Sequence, residues 1–186
     1  MNALYRRITE LSEKYLPLAE ELLKEAIRIP ADYVDKPINQ GGDPDCGLSN
    51  HEGPRLEYLK KRIVEIKAVR SEEDVWFDEY GNIVWTVKDI NDGIPDEEKR
   101  IIYFDGHTDT VGALRDQWLA KTDGSVDVYD GVLKPENISK EFLKSELGYL
   151  PPENEWDNLI FGRGSADQLG GVISEIIATK IALELA

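Results

Sequence analysis

The residues best equipped for chemistry fall in two short stretches, IIYFDGHTDTV at 101–111 and FGRGSADQLGG at 161–171. In the first, His107 and Asp109 stand two apart, so in extended chain an imidazole and a carboxylate point the same way. In the second, Gly162 and Gly164 permit a tight turn, and Asp167 is delivered at its end. Gly170 and Gly171 then let a helix start close against its neighbours. Histidine and carboxylates without cysteine suit a borderline or hard divalent cation such as Zn2+, Co2+ or Mn2+. A carboxylate fixed at such a turn can bridge two of them. Alone, a His-x-Asp triplet also fits a surface ion pair, and it is the second stretch that gives it weight.

The elements that must position these residues can be read outward from them. Ile101, Ile102, Tyr103 and Phe104 run without polar alternation into Asp105-Gly106, the pattern of a strand buried on both faces that ends at a sharp turn. Ligands of open α/β sheets gather where strands end, which places His107 and Asp109 at the mouth of a crevice. Other strands are expected at 75–77 and 83–87, joined across Asp78-Glu79-Tyr80-Gly81-Asn82, and at 159–162. Helical spacing covers 4–27, where Pro17 implies two helices or one kinked helix, the second running from about Leu18 to a stop at Pro30. An amphipathic helix is expected over 55–69, with Leu56, Leu59, Ile63 and Ile66 on one face and Lys60, Lys61 and Glu65 on the other. A third spans 138–147, capped by Ser139 and closed by Gly148. A strongly apolar one spans 170–186, carrying Val172, Ile173, Ile176, Ile177, Ile181 and Leu185.

These elements imply an α/β fold of three layers. A mixed sheet built from the strands near Val75, Ile83, Ile101 and Leu159 is flanked by the helices near Leu18, Arg55 and Gly171. The loop at 31–54, rich in Gly, Pro, Asp and Asn, contains His51, which reads as a polar loop residue rather than a ligand. Residues 112–158 read as an insertion packed over the site.

Composition narrows the function classes. With 22 Lys and Arg against 37 Asp and Glu, the net charge of −15 would repel a phosphate backbone or an anionic membrane, so neither nucleic acid nor membrane is expected as a partner. The single cysteine, Cys46, excludes an intrachain disulfide and fits a reducing compartment. No apolar run has the length of a signal core or a membrane span, which makes the expected location cytoplasmic.

GHTDTV at 106–111 followed by GRGSADQLGG at 162–171 resembles the paired signatures of the zinc-dependent exopeptidase and amidohydrolase family that includes carboxypeptidase G, acetylornithine deacetylase, succinyl-diaminopimelate desuccinylase and aminoacylase. The turn at 78–82 and the helix beginning near Arg55 also fall where that family has them. The resemblance implies that His107 ligates one metal ion and that Asp167 bridges two, with Asp109 as the catalytic-site residue that holds the His107 ring. Two Zn2+ ions, or Co2+ or Mn2+, are the implied cofactors. Hydrolysis of a small peptide or N-acyl amino acid is the implied reaction.

The departures also carry information. Leu169 stands where many members have lysine. The family's general-base glutamate and remaining ligands follow after a further helix and strand, and Glu175 and Glu184 lie within a helix instead. The expectation is therefore that 1–186 is the N-terminal part of a catalytic domain, lacking the family's lid or dimerisation domain and inactive by itself. Its uncovered terminal helix would then bind the missing half or self-associate. The alternatives are an inactive fragment or one piece of a split protein and, from another class, a metallophosphoesterase. The last is suggested by Asp105-Gly106-His107 and Asn50-His51-Glu52, but these occur in the wrong order for that fold.

Overall fold

The computed structural model describes residues 2–32, 52–112, 114, 116, 117, 119 and 138–186. Within them the chain combines helices with a small antiparallel sheet.

Helix α1, Ala3–Ile27, starts at Asn2, whose side chain accepts the Leu4 N–H at 3.1 Å. It runs through Pro17 as one element, where a division into two was one of the two readings of the sequence. Proline removes one helical hydrogen bond. Leu11 and Leu22, one on each side of it, are both buried in the same core, so packing offsets the lost bond. The helix ends before Pro30, as the sequence suggests.

Helix α2, Gly53–Glu65, has proline in its first turn and buries Arg55, Leu59 and Ile63, spaced four apart along one stripe. It ends four residues earlier than the periodicity implies. Lys67 turns to φ 58°, the Ala68 N–H donates to Ile63 O at 2.9 Å and the Lys67 N–H donates to Val64 O at 3.0 Å. This paired closure satisfies carbonyls the helix end would otherwise orphan. Lys180 Nζ donates to Ile66 O at 2.7 Å, placing a cation at the negative end of the helix.

Strands β1 (Val75–Phe77) and β2 (Ile83–Trp85) pair antiparallel with Trp76 opposite Val84. Asp78 shapes the turn between them: its Oδ1 accepts the N–H groups of Tyr80 and Asn82 at 2.9 and 2.8 Å. Helix α3, Lys140–Leu147, is capped by Ser139 and closed at Gly148, as expected. Nearby Ile138, Leu143 and Trp156 form a small core of their own, joined by Leu159 and Phe161. The remainder of the 31–54 and 112–158 readings, His51 and Cys46 included, lies outside the described residues.

Helix α4, Gly170–Leu185, is the centre of the main core. Val172, Ile173, Ile176, Ile177 and Ile181 are all buried, packed with Leu11 and Leu22 of α1, Leu59 and Ile63 of α2, and Val75 of β1. The expectation of an uncovered apolar helix is thus corrected: α1 and α2 lie against it. Trp85 Nε1 donates to Thr179 Oγ1 at 3.3 Å and ties the hairpin to the same helix.

The apolar surface left in solvent is elsewhere. Ile101, Ile102, Tyr103 and Phe104 are 90, 77, 81 and 69 % exposed, in contrast to the doubly buried strand the sequence implies. Burying a strand on both faces requires neighbours along its edges and layers above and below. None of the described residues makes a backbone hydrogen bond with 100–106, and none of them covers 101–104. Pairing resumes only at Thr110, whose N–H donates to Ala31 O at 2.9 Å beside a parallel bridge to Asp32. Of the strand expected at 159–162, only a single bridge position, at Phe161, is formed. No helix among the described residues is long and apolar enough to cross a membrane.

Candidate metal centre

The segment 107–110 alternates. His107 and Asp109 face outward, while Thr108 and Thr110 are buried. The inward pair is anchored by its hydroxyls: Thr108 Oγ1 donates to Glu52 Oε1 and Thr110 Oγ1 to Asp32 Oδ1, both at 2.6 Å. Arg55, fully buried at the start of α2, donates from Nε to Ala26 O at 3.1 Å and Ile29 O at 2.9 Å, and from Nη1 to Thr108 O. Burial outweighs the opposing charges of Asp32, Glu52 and Asp109 and leaves its guanidinium lowered to about 10. It stays a cation at neutral pH.

The second motif arrives from α4. Gly164, at φ +74°, turns the chain where a Cβ would stand 2.7 Å from Thr110 Cγ2, so the turn sits directly against the first motif. Asp167 and Gln168 follow in non-helical conformation, joined by a cis peptide, before α4 begins. Gln168 Oε1 accepts the His107 N–H at 3.0 Å. A Cβ on Gly106 would meet that same oxygen at 3.0 Å and Val172 Cγ2 at 2.9 Å, so the close approach of the two motifs requires a residue without a side chain there.

Between the motifs lies the imidazole. His107 Nδ1 is 3.0 Å from Asp109 Oδ1, and Nε2 is 2.9 Å from Asp167 Oδ1. Partial burial lowers the ring's proton affinity, but the hydrogen bonds to the Asp167 carboxylate and to the Asp109 main-chain carbonyl, at 3.3 Å from Nδ1, together with the charges of both residues, outweigh it and hold the ring above its ordinary value. His107, Asp109 and Asp167, separated by 60 positions from first to last, therefore share one site.

The donor set can be compared with what a metal needs. Bonds of about 2.0–2.1 Å in tetrahedral geometry set neighbouring donors roughly 3.3 Å apart. The Nε2 to Oδ1 separation of 2.9 Å is a few tenths short of that, and the half-exposed ring and exposed carboxylate have room to open. Nδ1, turned to Asp109, has the partner a metal-bound imidazole requires. The described residues supply two donors, and no group of three or more His, Cys, Asp or Glu that could hold an ion is found among them. They fit as part of a metal site.

Neither helical carboxylate joins the cluster. Glu184 binds Lys14 at 2.9 Å and also Tyr15. Glu175 is partly buried, its carboxyl raised by that burial and then by the charge of Asp105. The residues sequence reasoning missed are those behind the site: Glu52, Arg55, Thr108, Thr110, Asp32 and Gln168. One signal for Arg55 was available, since it falls on the same four-residue stripe as Leu59 and Ile63, where a charge needs buried partners.

No protein-family model, curated protein or solved structure matches the chain.

Proposed function

We propose that this chain carries part of a dinuclear metal centre of a hydrolase acting on peptide or N-acyl amide bonds. The observation that supports the reading is the His107 ring held between Asp109 and Asp167, with the two motifs that resemble the zinc-dependent exopeptidase and amidohydrolase signatures in direct contact. The larger three-layer sheet and the location in the cytoplasm belong to the same reading.

In it, His107 Nε2 and Asp167 hold Zn2+, or Co2+ or Mn2+, with further ligands from outside the described residues. When bound, such ions polarise an amide carbonyl and lower the pKa of a bound water toward neutrality. The chain's own groups do the positioning. Asp109, through its main-chain carbonyl and its carboxylate, holds a proton on Nδ1, which leaves Nε2 turned to Asp167, the side from which the ring would hold an ion. The buried Thr108 and Thr110 keep the outward pair from turning away. A small peptide or N-acyl amino acid is the proposed substrate, and the general base is not among the groups gathered here.

Equilibrium dialysis of the chain against Zn2+ or Co2+ tests the reading. Binding that is lost in both His107→Ala and Asp167→Ala is expected, and equal binding by the variants would remove the assignment. Turnover of N-acyl amino acids is expected only when the missing base and ligands are supplied. Hydrolysis of p-nitrophenyl phosphate alone would favour the metallophosphoesterase reading.

A further inference from the structure

The residue placed between His107 and Asp109 is held from the opposite side of the segment. Thr108 is buried; its carbonyl accepts from Arg55 Nη1, and its hydroxyl donates to Glu52 Oε1 at 2.6 Å. Both partners come from the start of α2, Glu52 just before the helix and Arg55 in its first turn. Arg55 is in turn fixed by a carbonyl in the last turn of α1, Ala26 O at 3.1 Å, and one just past its end, Ile29 O at 2.9 Å. One guanidinium thus spans three segments.

We propose that Arg55, with Glu52, is a positioning device for the metal centre: by clamping Thr108 from both its main chain and its hydroxyl, it sets the direction in which His107 and Asp109 face Asp167. The proposal rests on the metal-centre reading and extends it to residues that touch neither ion nor substrate. In extended chain the residues on either side of an inward-pointing one must point outward, so fixing the carbonyl and side chain of Thr108 fixes the plane in which its two neighbours sit. A guanidinium suits this task because its donors are spread over a planar fork and can reach Ile29 and Thr108 together. An ammonium presents its donors from one point and cannot span both. The nearby carboxylates Asp32, Glu52 and Asp109 keep the buried cation charged.

The test compares Arg55→Lys with Leu59→Ala, which truncates a buried residue one turn along the same helix. Arg55→Lys is expected to weaken Zn2+ binding by about 10–100-fold, the usual effect of losing an outer-shell partner. It is also expected to remove or shift the Nδ1 proton resonance of His107 in the metal-free chain. Leu59→Ala is expected to change neither, although it lowers stability. If Arg55→Lys fails to give the native circular dichroism spectrum, Thr108→Val carries the same comparison by removing only the hydroxyl clamp. Unchanged metal affinity and an unchanged His107 signal in a folded clamp variant, or equal losses in Leu59→Ala, would overturn the proposal. If the wild-type chain binds no Zn2+, the metal-centre reading fails, and the His107 resonance alone still decides whether Arg55 positions the ring.

Discussion

At the scale of single residues, the central feature is an imidazole between two carboxylates. Because the folded-state pKa of His107 is raised, its protonated form favours the folded state. That contribution is complete below the unfolded value near 6.5 and is lost as pH rises through the folded value. We expect a proton NMR titration of the metal-free chain to place His107 above 6.5, and Asp167→Asn to bring it down, since the carboxylate is one of the groups that raises it. A midpoint at or below 6.5 in the wild-type chain would contradict the geometry. The second residue-scale feature is Arg55. Replacing it by methionine leaves Asp32, Glu52 and the three carbonyl partners without their cation, and removing one member of a buried charge cluster costs about 3–5 kcal/mol. Urea denaturation reads this directly, and a loss under about 1 kcal/mol would mean that the cluster is already solvated.

At the scale of elements, two turns control how the helices meet the site. The α2 closure puts a lysine, Lys67, in a left-handed conformation at φ 58°. Such a conformation costs a residue with a Cβ roughly 1–2 kcal/mol and costs glycine far less, so Lys67→Gly is expected to raise stability by about 1 kcal/mol with no change at the site. A higher urea midpoint at unchanged slope is the measurement. The turn before α4 has the opposite requirement. Gly164→Ala must adopt φ near +74° and bring a Cβ to 2.7 Å from Thr110 Cγ2, so it should lower stability by at least about 1–2 kcal/mol. It should also part the two motifs, visible as a loss of the His107 to Asp167 hydrogen bond. The opposite signs distinguish a helix end free to relax from one pressed against a neighbour.

At the scale of the whole molecule, one core does most of the holding. It joins α1, α2, α4 and the hairpin, and Ile176 at its centre is almost wholly buried. Ile176→Ala is expected to cost about 2–5 kcal/mol. Amide hydrogen exchange should be slowest along α4 and the second half of α1 and fastest over 100–106, where no backbone bond is made among the described residues. The exposed run at 101–104 is also where self-association is expected to arise, because contiguous apolar side chains, with no backbone bond to the described residues, form an interface or aggregation surface. An Ile102→Lys, Phe104→Lys double substitution should therefore reduce ANS binding and sedimentation of oligomers. Unchanged oligomers would place the contact on another face.

Two-residue spacing was enough to put His107 beside Asp109, because it is a local property that leaves few conformations open, whereas Asp167, 60 positions on, was joined to them by the resemblance of the two motifs to a known pair of signatures. The hairpin around Asp78, the closure of α3 by Ser139 and Gly148, and the core face of α4 were legible for the same reason. What supports the site was decided only in three dimensions: Arg55 finds its acceptors 26, 29 and 53 positions away. They are main-chain carbonyls, which every residue possesses and no side-chain pattern reveals. The fates of the two most apolar segments were decided there as well. Periodicity records how much apolar surface an element offers, but burial depends on what packs against it. Helices α1 and α2 cover α4, and among the described residues nothing covers 101–104.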